Sequence, residues 1–172
     1  MVKFNWQGEI PAHAQVEQEG RVIWSGAPRF YKADRQEGGF YVGSDFKGEE
    51  LTCQIFDWRW DNSERWGRAG QSWLDLALVD GDGVAAILAL NKDSAVNVFD
   101  FLISLKQTGA SAIDPPALSV TLGFVRRETQ EGEAYYLVDV RAWQFASEAD
   151  WLKVAAFRDT RQFNWVLVGE VN

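Results

Sequence analysis

The sequence contains a single cysteine, Cys53, and a single histidine, His13. One cysteine excludes an intramolecular disulfide, and one Cys with one His leaves no soft-ligand zinc constellation. The lone histidine also removes most nucleophile–histidine triads. There is no Gly-rich phosphate loop, nucleophile elbow or metal motif. Excess positive charge is lacking too: the formal net charge is -8 and the sequence pI about 4.7. That balance argues against a broad basic groove for duplex DNA, which works by neutralising phosphates, and against adhesion to anionic membranes. No apolar run is long enough to cross a bilayer. The first residues, MVKFNWQGEIPAHA, show neither a cationic leader nor an apolar segment of signal-peptide length. The expectation is a cytoplasmic protein without cofactor, metal or catalytic residues. A carboxylate-only site, such as Asp57 with Asp61, stays open as an enzymatic alternative.

Aromatic side chains are what the chain has in plenty. Among 172 residues are 9 Trp, 11 Phe and 4 Tyr. A core rarely needs so many indoles, because each brings an N–H that wants a partner, so part of the set is expected at a surface. Four tryptophans fall in one stretch, Asp57 to Trp73, read DWRWDNSERWGRAGQSW. Trp58, Trp60, Trp66 and Trp73 alternate there with Arg59, Arg65 and Arg68. Tryptophan offers a flat stacking surface, and arginine adds charge, a planar face and a fork of donors.

One domain is the default for this length. Residues 1–20 read as a lead-in, with a polar connection from Gln15 to Gly20 and His13 on a surface loop. RVIWSG starts a strand, RFYK continues as an edge strand, and DRQEGG is a turn in which Gly38 and Gly39 are free to take positive φ. LTCQIFDWRW, residues 51–60, is a strand. Strict alternation puts Leu51, Cys53 and Ile55 on a core face, and Phe56, Trp58 and Trp60 on the other. The polar segment 61–71 is a long loop. SWLDLALVD and VAAILAL are strands around a GDG hairpin turn. Asp93 or Ser94 caps a helix in which Ala95, Val98, Phe99, Leu102, Ile103 and Lys106 form one stripe. LSVTLGFVRR and AYYLVDVRAWQF form a hairpin, with Tyr136, Val138, Val140 and Ala142 on its apolar face. Tyr135, Leu137, Asp139, Arg141, Trp143 and Phe145 take the opposite face. SEAD predicts a capping box for a short helix from Trp151 to Phe157, followed by a last strand over 162–171.

This order of elements predicts a mainly β (α+β) fold: an OB-like five-stranded Greek-key barrel over 21–145, with a buried helix between strands three and four. Residues 146–172 would add a helix–strand extension. A generic α+β sheet with one packed helix fits the same order. The aromatic strand-to-loop stretch FDWRWDNSERWGR, the helix DSAVNVFDFLISLKQ and the hairpin VTLGFVRR…AYYLVDVRAW resemble the OB-fold single-stranded DNA-binding proteins of bacteria and their phages. The likeness is architectural and covers roughly residues 20 to 145.

The resemblance implies sequence-tolerant, non-catalytic binding of single-stranded DNA. Trp58, Trp60 and Trp66 would stack bases, and Arg59, Arg65 and Arg68 would reach phosphates. Tyr135, Arg141 and Trp143 would extend the surface, with Arg126 and Arg127 at the hairpin tip. Against this, Asp57, Asp61 and Glu64 offset the loop arginines, and Glu128, Glu131 and Glu133 sit beside Arg126 and Arg127. Two other partners remain open. Trp, Tyr and Arg also suit protein–protein recognition or a homo-oligomer, and tryptophan faces suit carbohydrate.

Overall fold

In the computed structural model, an eight-stranded sheet curls into a half-barrel around one helix, with a two-stranded hairpin apart from it. The structure describes residues 15–18, 21–24, 29–65, 67–107, 118–147 and 149. The hairpin pairs β1 (Gln15–Gln18) with β2 (Arg21–Trp24). The segment expected to be a polar connection therefore contains a strand. His13 and the expected C-terminal helix and strand lie outside the described residues.

The large sheet contains β3 (Arg29–Asp34), β4 (Gly39–Val42), β5 (Asp45–Gly48), β6 (Leu51–Asp61), β7 (Trp73–Asp80), β8 (Ala85–Asn91), β9 (Leu118–Glu128) and β10 (Ala134–Phe145). Their spatial order is β10-β9-β6-β7-β8-β3-β4-β5, antiparallel throughout except that β3 runs parallel to β8. The β class is as expected, but the five-strand barrel is not. Two features account for the difference. The GDG turn makes residues 73–91 two full strands. Residues 29–48, expected as an edge strand, a short aromatic strand over FYVGSDF and two turns, supply three.

The turns follow from their side chains. At the β7–β8 turn, Asp80 Oδ1 accepts the backbone N–H groups of Asp82 and Val84 at 3.0 and 2.9 Å, while Gly83 sits at φ 78. At the β3–β4 turn, Asp34 Oδ1 accepts from Gln36 and Glu37 in the same way. Such side-chain mimicry of a backbone turn is why Asp recurs at these sites. The helix α1 (Lys92–Gln107) follows β8 with no intervening loop, the chain reversing at Lys92 with φ 50.

The core fills the concave face. Leu74, Leu76 and Leu78 of β7 meet Cys53 and Ile55 of β6, Leu88 and Leu90 of β8, and Leu118, Val120 and Leu122 of β9. The helix closes over them with Ala95, Val98, Leu102 and Leu105. Full burial of one such Leu contributes roughly 1.5–3 kcal/mol. The expected leucine face is the core, and from the expected helix stripe Ala95, Val98 and Leu102 are buried in it with Phe99 packed alongside, while Ile103 stays outside the cluster and Leu105 joins it. The convex side of β7 is buried as well: Asp75, Ala77 and Val79 are all inaccessible.

The curl brings the far end of the sheet back toward β10. Tyr136 N–H donates to the carbonyl of Arg35 at 2.8 Å, and Phe40 of β4 packs on Phe124 of β9 with ring centroids 4.7 Å apart. Helix α1 covers the next part of the β10 edge. Ser94, expected as an N-cap, instead uses its Oγ to accept the Val138 N–H at 2.9 Å, and Asn97 Nδ2 donates to the Val138 carbonyl at 3.5 Å. A strand edge that would otherwise offer unpaired groups is thus occupied.

Candidate functional site

Two β-bulges decide where the surface aromatics lie. In β6 the pairing with β7 runs Cys53↔Asp80, Gln54↔Val79, Ile55↔Leu78, and then skips to Asp57↔Ala77. Phe56 is the extra residue. A bulge inserts one residue on one strand, so everything beyond it changes face. Trp58 consequently lies opposite Leu76 and Trp60 opposite Leu74, on the core face together with Cys53 and Ile55. This corrects the strict alternation expected from the sequence, which sent both tryptophans to the opposite side. Arg59 takes that opposite side.

The second bulge lies in β10, between Val140 and Ala142, with Arg141 extra. Beyond it Trp143 faces Val120 and Phe145 faces Leu118, both concave-face residues. Trp143 and Phe145 were expected on the outer face with Tyr135 and Asp139; the bulge moves them inward by the same mechanism.

The outcome is an aromatic rim on either side of the helix. Trp60 meets Phe99 edge-on at 5.3 Å. Phe101 meets Trp143 at 5.9 Å, and Trp143 meets Phe145 at 5.5 Å. Trp58 packs against the core and is half-buried, whereas Trp60, Trp143 and Phe145 remain 43%, 44% and 47% exposed. The end of β6, the start of β9 and the end of β10 share one edge of the sheet. Phe145, Phe99 and Phe101 were not among the residues singled out from the sequence, since helix spacing marks the last two as core.

The same edge carries a cleft of about 250 Å³. It opens where the parallel strands β3 and β8 end and α1 begins. Lys32, Arg35 and Arg68 line it, with Asp34, Asn91, Ser94 and Trp73. Trp73 pairs with Asn91 across the strands, and the next residue, Leu74, stands opposite Trp60, so the cleft and Trp60 lie at the same end of the sheet, with Trp73 and Trp60 on opposite faces. Arg35 lies over the Tyr135 ring at 5.2 Å and donates its Nε to the Tyr136 carbonyl at 3.3 Å. Lys32 pairs with Asp34 at 3.2 Å. Lys32 and Arg35 carried no special signal in the sequence, since RFYK and DRQEGG read as ordinary strand and turn.

The remaining sequence-predicted residues are dispersed. Arg65 is fully buried: its guanidinium donates to both oxygens of Asp75, to Asp61 and to Ser63 Oγ, and lies over the Trp73 ring. Arg59 Nε donates to the same Asp75 at 3.1 Å. Burial opposes the charge on Arg65, but the Asp75 and Asp61 carboxylates outweigh it and raise its pKa. The Ser63 hydroxyl, with help from Arg65, holds Asp61 down at about 2. This network folds the 61–72 loop back on β7. Arg68 is exposed and makes no ion pair among the described residues. Arg126 pairs with Glu128 at 2.6 Å in solvent. Arg127 is exposed beside Tyr135, its cross-strand partner. Arg141 lines a separate cleft of about 210 Å³ with Glu37, Glu49 and Glu50. Trp66 lies outside the described residues.

A second buried charge cluster stands at the opposite sheet edge. Asp80 Oδ2 accepts Arg29 Nη1 and the Tyr31 hydroxyl, each at 2.8 Å. Burial, then the Asp80 charge, pushes the Tyr31 hydroxyl well above its usual range. Cys53 is buried close by, and burial likewise pushes its thiol up, as expected for a structural cysteine. Among the described residues no three His, Cys, Asp or Glu side chains are grouped to hold a metal ion, and no helix is long and apolar enough to cross a membrane. Compared with known proteins, the chain matches no family model, no curated protein and no solved structure.

Proposed function

We propose that this protein binds single-stranded DNA along the rim, stacking bases on exposed aromatic side chains in a sequence-tolerant and non-catalytic way. The observation that carries this reading is the pair of bulges, which leaves Trp60, Trp143 and Phe145 more than two-fifths exposed on one sheet edge. Indole and phenyl edges cost free energy in water, and a flat ligand recovers it. Base–aromatic stacking contributes roughly 1–3 kcal/mol per base without regard to sequence. The cleft at the same end of the sheet contributes cations on a chain of net charge -8. Titration with oligo-dT should quench tryptophan fluorescence. Trp60→Ala and Trp143→Ala should each weaken binding by roughly 5- to 150-fold, the equivalent of one stacked base. An absence of quenching at micromolar protein would remove the proposal.

A protein partner, including a second copy of the chain, is the competing reading. It is favoured by the loop arginines: Arg65 is fully buried and Arg59 is tied to the same buried Asp75, so neither is presented to a phosphate. Light scattering coupled to size exclusion decides it. A dimer that dissociates on Trp143→Ala would transfer the rim to a protein interface.

A further inference from the structure

We infer that the cleft at the ends of β3 and β8 is a phosphate seat, holding one phosphate of the bound strand between Lys32, Arg35 and Arg68. This deepens the single-strand reading and rests on it for the identity of the molecule that bears the phosphate. Three cations and one carboxylate line the cleft, a local excess of positive charge on a strongly acidic chain. That carboxylate is already engaged. Asp34 Oδ1 accepts two backbone N–H groups and Oδ2 accepts Lys32. Arg35 is anchored through Nε to the Tyr136 carbonyl and by its face to Tyr135, which leaves its terminal nitrogens for a ligand. Arg68 makes no competing ion pair among the described residues. The first turn of the 16-residue helix α1, represented by Ser94, adds the positive end of a helix dipole.

Size narrows the ligand. At about 250 Å³ the cleft is smaller than the roughly 300–1,000 Å³ of sites that enclose a whole small molecule. It suits one group projecting from a larger ligand whose remainder lies outside. The remainder has a place to go, because Trp60 stands at the same end of the sheet. A phosphate in the cleft and a base on Trp60 belong to one strand. Both a terminal monoester and an internal diester have the required chemistry.

The test uses the full chain, oligo-dT with and without a 5′-phosphate, and inorganic pyrophosphate. Lys32→Ala/Arg68→Ala removes two exposed cations and should leave the melting temperature unchanged. For single strands the logarithm of affinity falls with the logarithm of salt by about 0.7 per phosphate neutralised, so this variant should lose a slope of about 1.4. That is about 25-fold weaker binding at about 0.1 M salt, converging on the parent near 1 M. Trp60→Ala should weaken binding while keeping the parental slope. Pyrophosphate should raise the melting temperature of the parent and leave that of the double variant unmoved. Tighter binding of the 5′-phosphorylated oligomer assigns the seat to a strand end, and equal binding assigns it to an internal phosphate. If the oligomer binds and the double variant keeps its affinity and slope, the phosphate seat is refuted while single-strand binding stands. If pyrophosphate binds and the oligomer does not, the seat stands and single-strand binding falls. If neither binds, both fall.

Discussion

Removing Asp75 tests the account of the 61–72 loop most directly. The Asp75 carboxylate is fully buried, and it accepts from both terminal nitrogens of Arg65 and from Arg59 Nε. Arg65 is itself fully buried, so Asp75→Ala leaves a guanidinium without solvent and with Asp61 as its remaining carboxylate. Breaking a buried pair by deleting one partner costs about 3–5 kcal/mol, chiefly the uncompensated charge. For a chain of this size that is a fall in melting temperature of roughly 6–20 °C. The exposed Arg126–Glu128 pair is the control, because Arg126→Ala should cost about 0–1 kcal/mol. Urea denaturation is the assay, with the midpoint shifting at constant m-value. Replacing both buried partners, Arg65→Met with Asp75→Leu, should recover most of the loss, since apolar side chains of similar volume need no compensation. An Asp75→Ala loss no larger than that of Arg126→Ala would refute the buried network. So would failure of the double replacement to recover stability, in which case the loss belongs to packing alone.

Three other outcomes follow from the same structure. Trp58→Ala should destabilise by about 2–3 kcal/mol because its ring packs on the core, whereas Trp60→Ala should stay under about 1 kcal/mol in chemical denaturation. Asp61, held at about 2 against an ordinary value near 4, contributes stability that is present above pH about 4 and lost as pH falls through 2. Solvent screening reduces that contribution to the order of 1 kcal/mol, and an acid titration of Asp61→Asn should show it missing. Cys53, buried with its thiol pKa raised, should resist alkylation at about pH 8 in the folded protein and react at once in urea.

Much of the fold is legible from local chemistry. The GDG turn, the Leu74–Leu76–Leu78 face and the Ala95–Val98–Leu102 part of the helix stripe each depend on residues near in sequence, and each appears where expected. The strand count is less legible because pairing is non-local. RFYK becomes a full strand by lying parallel to Ala86–Ala89, more than fifty residues away. No propensity within RFYK announces that partner. The same limit hides Arg35 and Lys32: turn and strand residues become cleft residues only once β3 is laid beside β8 and α1.

The candidate site shows a sharper form of this limit. Composition draws attention to the tryptophans, but their direction depends on parity, and parity survives only while pairing is unbroken. Phe56 has ordinary β-propensity, and nothing in LTCQIFDWRW marks it as the residue skipped by β7. Arg141 is equally unmarked in β10. Each insertion reverses the face of the two aromatics that follow, and both reversals have the same sense, from convex to concave. Two independent bulges thus place Trp60 and Trp143 against Phe99 and Phe101 of one helix, with Phe145 beside Trp143. A bulge leaves a residue unpaired in the ladder and is retained where it re-aims a side chain. Trp58 is the member that the core absorbs. Trp60, Trp143 and Phe145 are re-aimed without being buried, which is the physical reason for proposing base stacking on this rim.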